Sequence, residues 1–180
     1  MNVHHKVLMA RASAIITTLL LCSSIALTQD KLSPLEPLGK FVGTWDKKFT
    51  IFRSEWIAEQ SEMSGTHTVE WILDNKHLRE TGNDSDGGTY LSVYSWDQEA
   101  NELSLSGFQS TGAAWRMKGS WDAQTNTMTW SRSVNDDIEM KATYRLLNEN
   151  EFVFSYKASD KNGKNYFRLE GTGTRSGRNK

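Results

Sequence analysis

The sequence predicts an all-β fold: a closed, antiparallel up-and-down barrel of about ten strands with a short N-terminal helix or plug. Three observations predict it. From Phe41 onward apolar and polar residues alternate with period two rather than 3.6, the pattern of strands with one buried face. Turn residues recur about every dozen positions, which is strand-and-hairpin spacing. A whole hairpin also repeats: Ser95-Trp96-Asp97 through Leu105 is echoed by Ser120-Trp121-Asp122 through Trp130. A repeating hairpin means that each strand pairs with its sequence neighbour. Closure removes the sticky edges of an open sheet. A two-sheet sandwich is the second choice, because its crossovers need long connections that are scarce here.

The first residues have the layout of a secretory signal. Lys6 and Arg11 precede an apolar run, Ala12–Leu21, too short to span a bilayer. Ser24-Ile25-Ala26 supplies the small residues of a cleavage site, so cleavage after Ala26 and export to the periplasm or exterior are expected. Lipidation on Cys22 is the rival, but Leu21 is not the small residue that a lipobox places before its cysteine. The expected organisation is signal 1–26, N-terminal segment 27–40, barrel 41–175 and a frayed tail 176–180. Cleavage removes two bases and no acid, so the formal charge of −1 becomes about −3. Mild acidity disfavours nucleic acid, which needs a basic patch. The part after Ala26 shows no span for stable membrane insertion and no basic amphipathic helix. It keeps no cysteine, so its stability must come from its core.

Taken in order, Leu32–Lys40 carries Ser33-Pro34, Pro37 and Gly39. It reads either as one helical turn, with Leu35, Leu38 and Phe41 plugging a barrel end, or as an extended linker. Strand one puts Gly43, Trp45, Lys47, Phe49 and Ile51 on one face. Arg53–Ser64 reads as a short helix or a hairpin arm. His67, Val69, Trp71 and Leu73 share the next face. Asp74-Asn75 makes a tight turn, and Asn83–Gly88 a polar loop. In both repeated hairpins, Asp and Asn suit the turn because they bond nearby backbone and tolerate left-handed conformations. Ile138, Met140, Ala142, Tyr144 and Leu146 form the clearest half-buried strand. Phe152, Phe154 and Tyr156 follow, then the Asn162-Gly163 turn and a last strand from Tyr166 to Arg175.

Leu35-Glu36-Pro37-Leu38-Gly39-Lys40-Phe41-Val42-Gly43-Thr44-Trp45 resembles the opening of the lipocalin-like (calycin) barrels, closest to a group of bacterial exported proteins of unknown function. Trp71–Leu78 and Tyr90–Gly107 resemble that group too. The resemblance implies that Gly43 and Trp45 close one barrel end under an arginine from the last strand. Arg168 or Arg175 can fill that role, and Arg168 is the one assigned. The related haem-binding barrels carry Gly-x-Trp-x-Gly-x-Gly. Lys47 and Phe49 replace both later glycines here, so haem is not expected and no cofactor is assigned.

Chemistry-bearing residues are sparse. After the signal only His67 and His77 remain as histidines, ten apart and without a cysteine, a poor zinc set. Ser64 and Asp74 lie near His67 in sequence, but no nucleophile-elbow pattern surrounds any serine. Asp84-Ser85-Asp86-Gly87 lacks the remaining ligands of a calcium loop and reads as a polar turn. Asn83-Asp84-Ser85 fits a glycosylation sequon. Seven tryptophans supply either a filled core or the wall of a ligand cavity. The polar residues on inward registers tip the reading toward a cavity: Lys47, Glu80, Arg132, Tyr144 and Tyr156. The predicted function is therefore a non-enzymatic barrel holding a small hydrophobic or amphipathic molecule. Trp71, Trp115 and Trp130 serve as walls, Arg132 and Lys47 as polar anchors for an anionic head group, and His67, Tyr144 and Tyr156 as further contacts. An enzyme using His67 as acid or base, and a filled barrel acting as an interaction module, are the alternatives.

Overall fold

The computed structural model describes residues 33–177. The expected signal 1–26, the start of segment 27–40 and the last of the tail lie outside the described residues. A six-residue 3₁₀ helix, Glu36–Phe41, leads into ten strands. They are β1 Gly43–Ile51, β2 Ser61–Ile72, β3 His77–Asp84, β4 Thr89–Asp97, β5 Glu102–Gln109, β6 Ala114–Asp122, β7 Thr127–Ser133, β8 Ile138–Asn148, β9 Glu151–Asp160 and β10 Asn165–Arg175. Each pairs with its sequence neighbours, and β1 pairs antiparallel with β10 to close the barrel. Arg53–Gln60 is neither helix nor hairpin arm: it is an irregular loop, tied to β10 through Ser54 Oγ donating to the Tyr166 carbonyl and the Trp56 amide donating to the same oxygen. Among the described residues no helix is long and apolar enough to cross a membrane.

The turns follow from side-chain chemistry. In the repeated hairpins Asp97 Oδ1 accepts the amides of Glu99 and Ala100, and Asp122 Oδ1 accepts those of Gln124 and Thr125. Asn101 and Asn126 then take the left-handed position at φ 52° and 50°, which asparagine tolerates better than most residues. The β2–β3 turn is less well provided. Leu73, 69% exposed, holds φ 50° with neither glycine's freedom nor a burial gain. Leu73→Gly is expected to stabilise the fold by about 0.5–1 kcal/mol, read as a raised urea midpoint.

Register decides what faces inward. Trp45 lies opposite Arg175 on one side and His67 on the other. Glu80 lies opposite Val69 and Ser92, and Tyr144 opposite Met128 and Phe154. The two register shifts, Leu146/Asn148 and Asn165/Phe167, sit at strand ends. The inward set on the strand bodies is therefore undisturbed.

One end is sealed from the sequence upward. Leu35, just before the 3₁₀ helix, and Leu38 within it are buried, and Phe41 packs edge-on against Phe152 at 5.7 Å. Trp45, fully buried, donates Nε1–H to the Phe41 carbonyl at 2.7 Å and meets Phe152 at 5.0 Å. The segment before β1 is thus a plug rather than a linker. The arginine over Trp45 is Arg175, 4.2 Å from its ring, which corrects the assignment to Arg168. Inward registers on β10 are odd-numbered, so Arg168 faces out, where it pairs with Glu170 and lies over Phe52. Trp71 also belongs to this end. Its indole sits against Gly39 of the plug and lines neither interior space, so it is a seal and not a cavity wall.

Candidate functional site

Two neighbouring spaces occupy the interior beyond the plug. A cavity of about 320 Å³ opens at the end away from Trp45. Beneath it, near the plug, is a smaller chamber of about 30 Å³. Glu80, Tyr94 and Tyr144 line both and form the constriction between them.

Glu80 is the hub. It is 5% exposed on β3, whose inward register runs Leu78, Glu80, Gly82, Asp84. From β4, Tyr90 donates its hydroxyl to Glu80 Oε1 at 2.7 Å, and Tyr94 donates to Oε2. From β1, Lys47 Nζ donates to the Tyr90 hydroxyl at 2.7 Å and lies 3.8 Å from Asp84 Oδ1. From β2, His67 places Nδ1 3.5 Å from Glu80 Oε1, beyond hydrogen-bond length. Tyr144 and Tyr156 bond each other across β8 and β9. A glycine makes this arrangement possible. Gly82 lies opposite Tyr90, and a Cβ there would collide with the phenol ring. Its absence lets the ring lie across β3 and bring its hydroxyl to Glu80. Gly107 does the same for Trp115, which walls the open cavity.

The charge states follow from burial and neighbours. Burial alone would raise Glu80, but His67, Lys47 and the hydroxyls of Tyr94 and Tyr90 outweigh it, so Glu80 sits below the usual carboxylate range. Burial pushes His67 below its ordinary 6.5, against the pull of Glu80 and with the help of Lys47. Burial also raises Asp84, which Lys47 opposes and Asp86 and Glu80 reinforce. Tyr90, Tyr94, Tyr144 and Tyr156 are all raised, by burial first, and stay protonated as donors. At neutral pH the site therefore holds an ionised glutamate, a neutral histidine, a lysine and four phenols.

His67 gives a pH prediction. Unfolded, it takes a proton near 6.5, whereas folded it resists protonation until a lower pH. The unfolded state then binds more protons, so stability falls as pH drops below 6.5. Comparing urea midpoints of the parent and His67→Gln at pH 7 and roughly pH 5 should show a shallower decline in the variant.

The sequence-predicted residues divide by place. Lys47, Trp115, Tyr144 and Tyr156 line the open cavity. His67 and Trp130 line the chamber below it, together with Tyr144. Trp71 is in the seal. Arg132 lines neither space. β7 is the shortest strand, and Arg132, next to its end, lies in a crevice among Glu102, Arg116, Lys118 and Glu139. It makes no pair with Glu80, whose partners are phenols. His77 bonds Ser95 Oγ at 2.8 Å through Nδ1. Asp84–Gly88 forms the β3–β4 turn, closed by the Asp84 amide donating to the Gly88 carbonyl. Among the described residues no group of three or more metal-ligating side chains converges. The residues missed as a unit are Glu80, Tyr90 and Tyr94. Their signal was the alternation Tyr90-x-Ser92-x-Tyr94 facing Glu80 across a glycine-containing strand.

No protein-family model matches the chain, and no curated protein does. Solved structures do. Rv2717c from M. tuberculosis superposes with a TM-score of 0.60 at 12% identity, covering 80% of this chain and 98% of that one. The S-type phycobiliprotein lyase CPES from Guillardia theta superposes with a TM-score of 0.55 at 11% identity, covering 83% and 96%. Together with the closed ten-strand topology, these likenesses define the fold as a lipocalin-like barrel.

Proposed function

We infer that this chain is an exported lipocalin-like binding protein that holds a small hydrophobic or amphipathic molecule in its open cavity without transforming it. The observation that carries this is the cavity itself. About 320 Å³ lies at the lower end of small-molecule sites, which are apolar clefts with a few convergent polar groups. Phe49, Trp115 and Phe154 supply apolar wall, and the Glu80–tyrosine–Lys47 group supplies the polar end. Trp115 makes the reading measurable. Titration with decanol, retinol and haem, followed by intrinsic fluorescence, should give a saturable change with at least one apolar probe. Trp115→Phe should remove most of that change. If no probe alters the emission, the barrel does not bind this class of molecule.

A second reading is favoured by one contact, the neutral His67 beside Glu80 on the chamber wall. An enzyme using His67 as acid or base would lose turnover in His67→Ala while keeping its fold. Unchanged turnover would remove that reading.

A further inference from the structure

We propose that the polar end of the bound molecule is a cation or other hydrogen-bond donor, an organic amine rather than an acid, seated between Asp84 and Glu80. This deepens the binding reading above and rests on it. The balance of charge and of unpaired acceptors on the interior wall favours a cation. A phenol has a single O–H to give. Tyr90 and Tyr94 give theirs to Glu80, and Tyr144 and Tyr156 share one bond, so one phenol O–H of the four is uncommitted. Lys47 is directed at Tyr90 and Asp84. An arriving carboxylate would find one free phenol O–H and the single Lys47 ammonium, and would be repelled by three carboxylates, Glu80, Asp84 and Asp86, on the same wall. Ser92 and Gln109 also line the cavity, but neutral hydroxyl and amide groups serve either sign.

Acceptors, in contrast, are left over. Asp84 Oδ1 is a buried atom with no hydrogen bond, its nearest cation 3.8 Å away. Three carboxylates on the cavity wall face one ammonium group. That group also shows the company the site keeps: Lys47 Nζ lies 4.7 Å from the Tyr90 ring centre and 6.0 Å from that of Phe49. Aromatic faces flanked by carboxylates favour ammonium ions. Lys47 thus occupies, from within the chain, the kind of position the ligand's cation would share.

The experiment uses one apolar body with three ends: decylammonium, decanol and decanoate, titrated against the full chain by tryptophan fluorescence. The ammonium form should bind at least tenfold more tightly than decanoate, with decanol between. Lys47→Met should then tighten decylammonium severalfold relative to decanol. Asp84→Asn, at a partly exposed position, should weaken decylammonium alone. Tighter binding of decanoate than of decylammonium, or its loss in Lys47→Met, would overturn the proposal and leave the binding reading intact. Equal affinity for all three would also overturn it, since the site would then read only the apolar body. Absence of binding by all three would overturn the proposal, and absence of retinol and haem binding as well would overturn the binding reading with it.

Discussion

Glu80→Ala is expected to destabilise the barrel by about 3–5 kcal/mol, the cost of removing one partner from a buried charged network. The side chain accepts from Tyr90 and Tyr94 and stands beside His67. Truncation leaves two phenols without acceptors and removes one of the three carboxylates that face Lys47. Each stranded donor loses its bond without regaining water. Glu80→Gln should cost less, about 1–3 kcal/mol, because one amide oxygen still accepts while the amide nitrogen faces a hydroxyl. A combined Glu80→Met, Tyr90→Phe, Tyr94→Phe variant tests the cause. If stranded polar groups are responsible, it should recover much of what Glu80→Ala loses, since exchanging a whole polar group for apolar isosteres is far cheaper than halving it. Urea unfolding of the three variants reads the order. Equal losses in all three would place the cost in packing.

Arg175→Ala is expected to cost about 2–4 kcal/mol and Arg168→Ala under about 1 kcal/mol, though both arginines lie on β10. Arg175 donates to three backbone carbonyls: Val42 at 2.6 Å, Glu149 at 3.0 Å and Lys40 at 3.2 Å. It also covers the Trp45 ring. Those carbonyls belong to the plug and to the β8–β9 turn, so one guanidinium ties three pieces of chain over the seal. Lysine cannot reproduce that fork, and Arg175→Lys should recover less than half the loss. Arg168 forms an exposed pair with Glu170 and lies over Phe52, contacts that salt and solvent weaken.

The same two arginines show how far the sequence could be read. Period two and turn chemistry are local signals, so the strand count, the neighbour pairing and the inward face of β8 were legible. Choosing between Arg168 and Arg175 required the phase of β10, and the Asn165/Phe167 shift at its start obscures phase when counting from the preceding turn. Trp71 was placed on the correct face, but facing inward does not say how far along the barrel a residue sits. Depth depends on strand tilt and on where the plug ends, and neither is written in a single strand. Lys47 was recognised as inward, yet its partners come from β3 and β4, and the pairing that brings them together is long-range. The Glu80 hub was the least legible part. It needs Gly82 to clear a path for Tyr90, and a glycine in a strand announces itself only once its cross-strand neighbour is known.

The central claim is that the open cavity receives a ligand, and the seven indole N–H groups offer the most direct test. In a ¹H–¹⁵N spectrum recorded with increasing decylammonium, the Trp115 indole signal, assigned through Trp115→Phe, should shift and saturate. The Trp45 indole, donated to the Phe41 carbonyl under the seal, should stay in place. Shifts confined to Trp56 on the exposed β1–β2 loop, or no shift at any indole, would contradict the account.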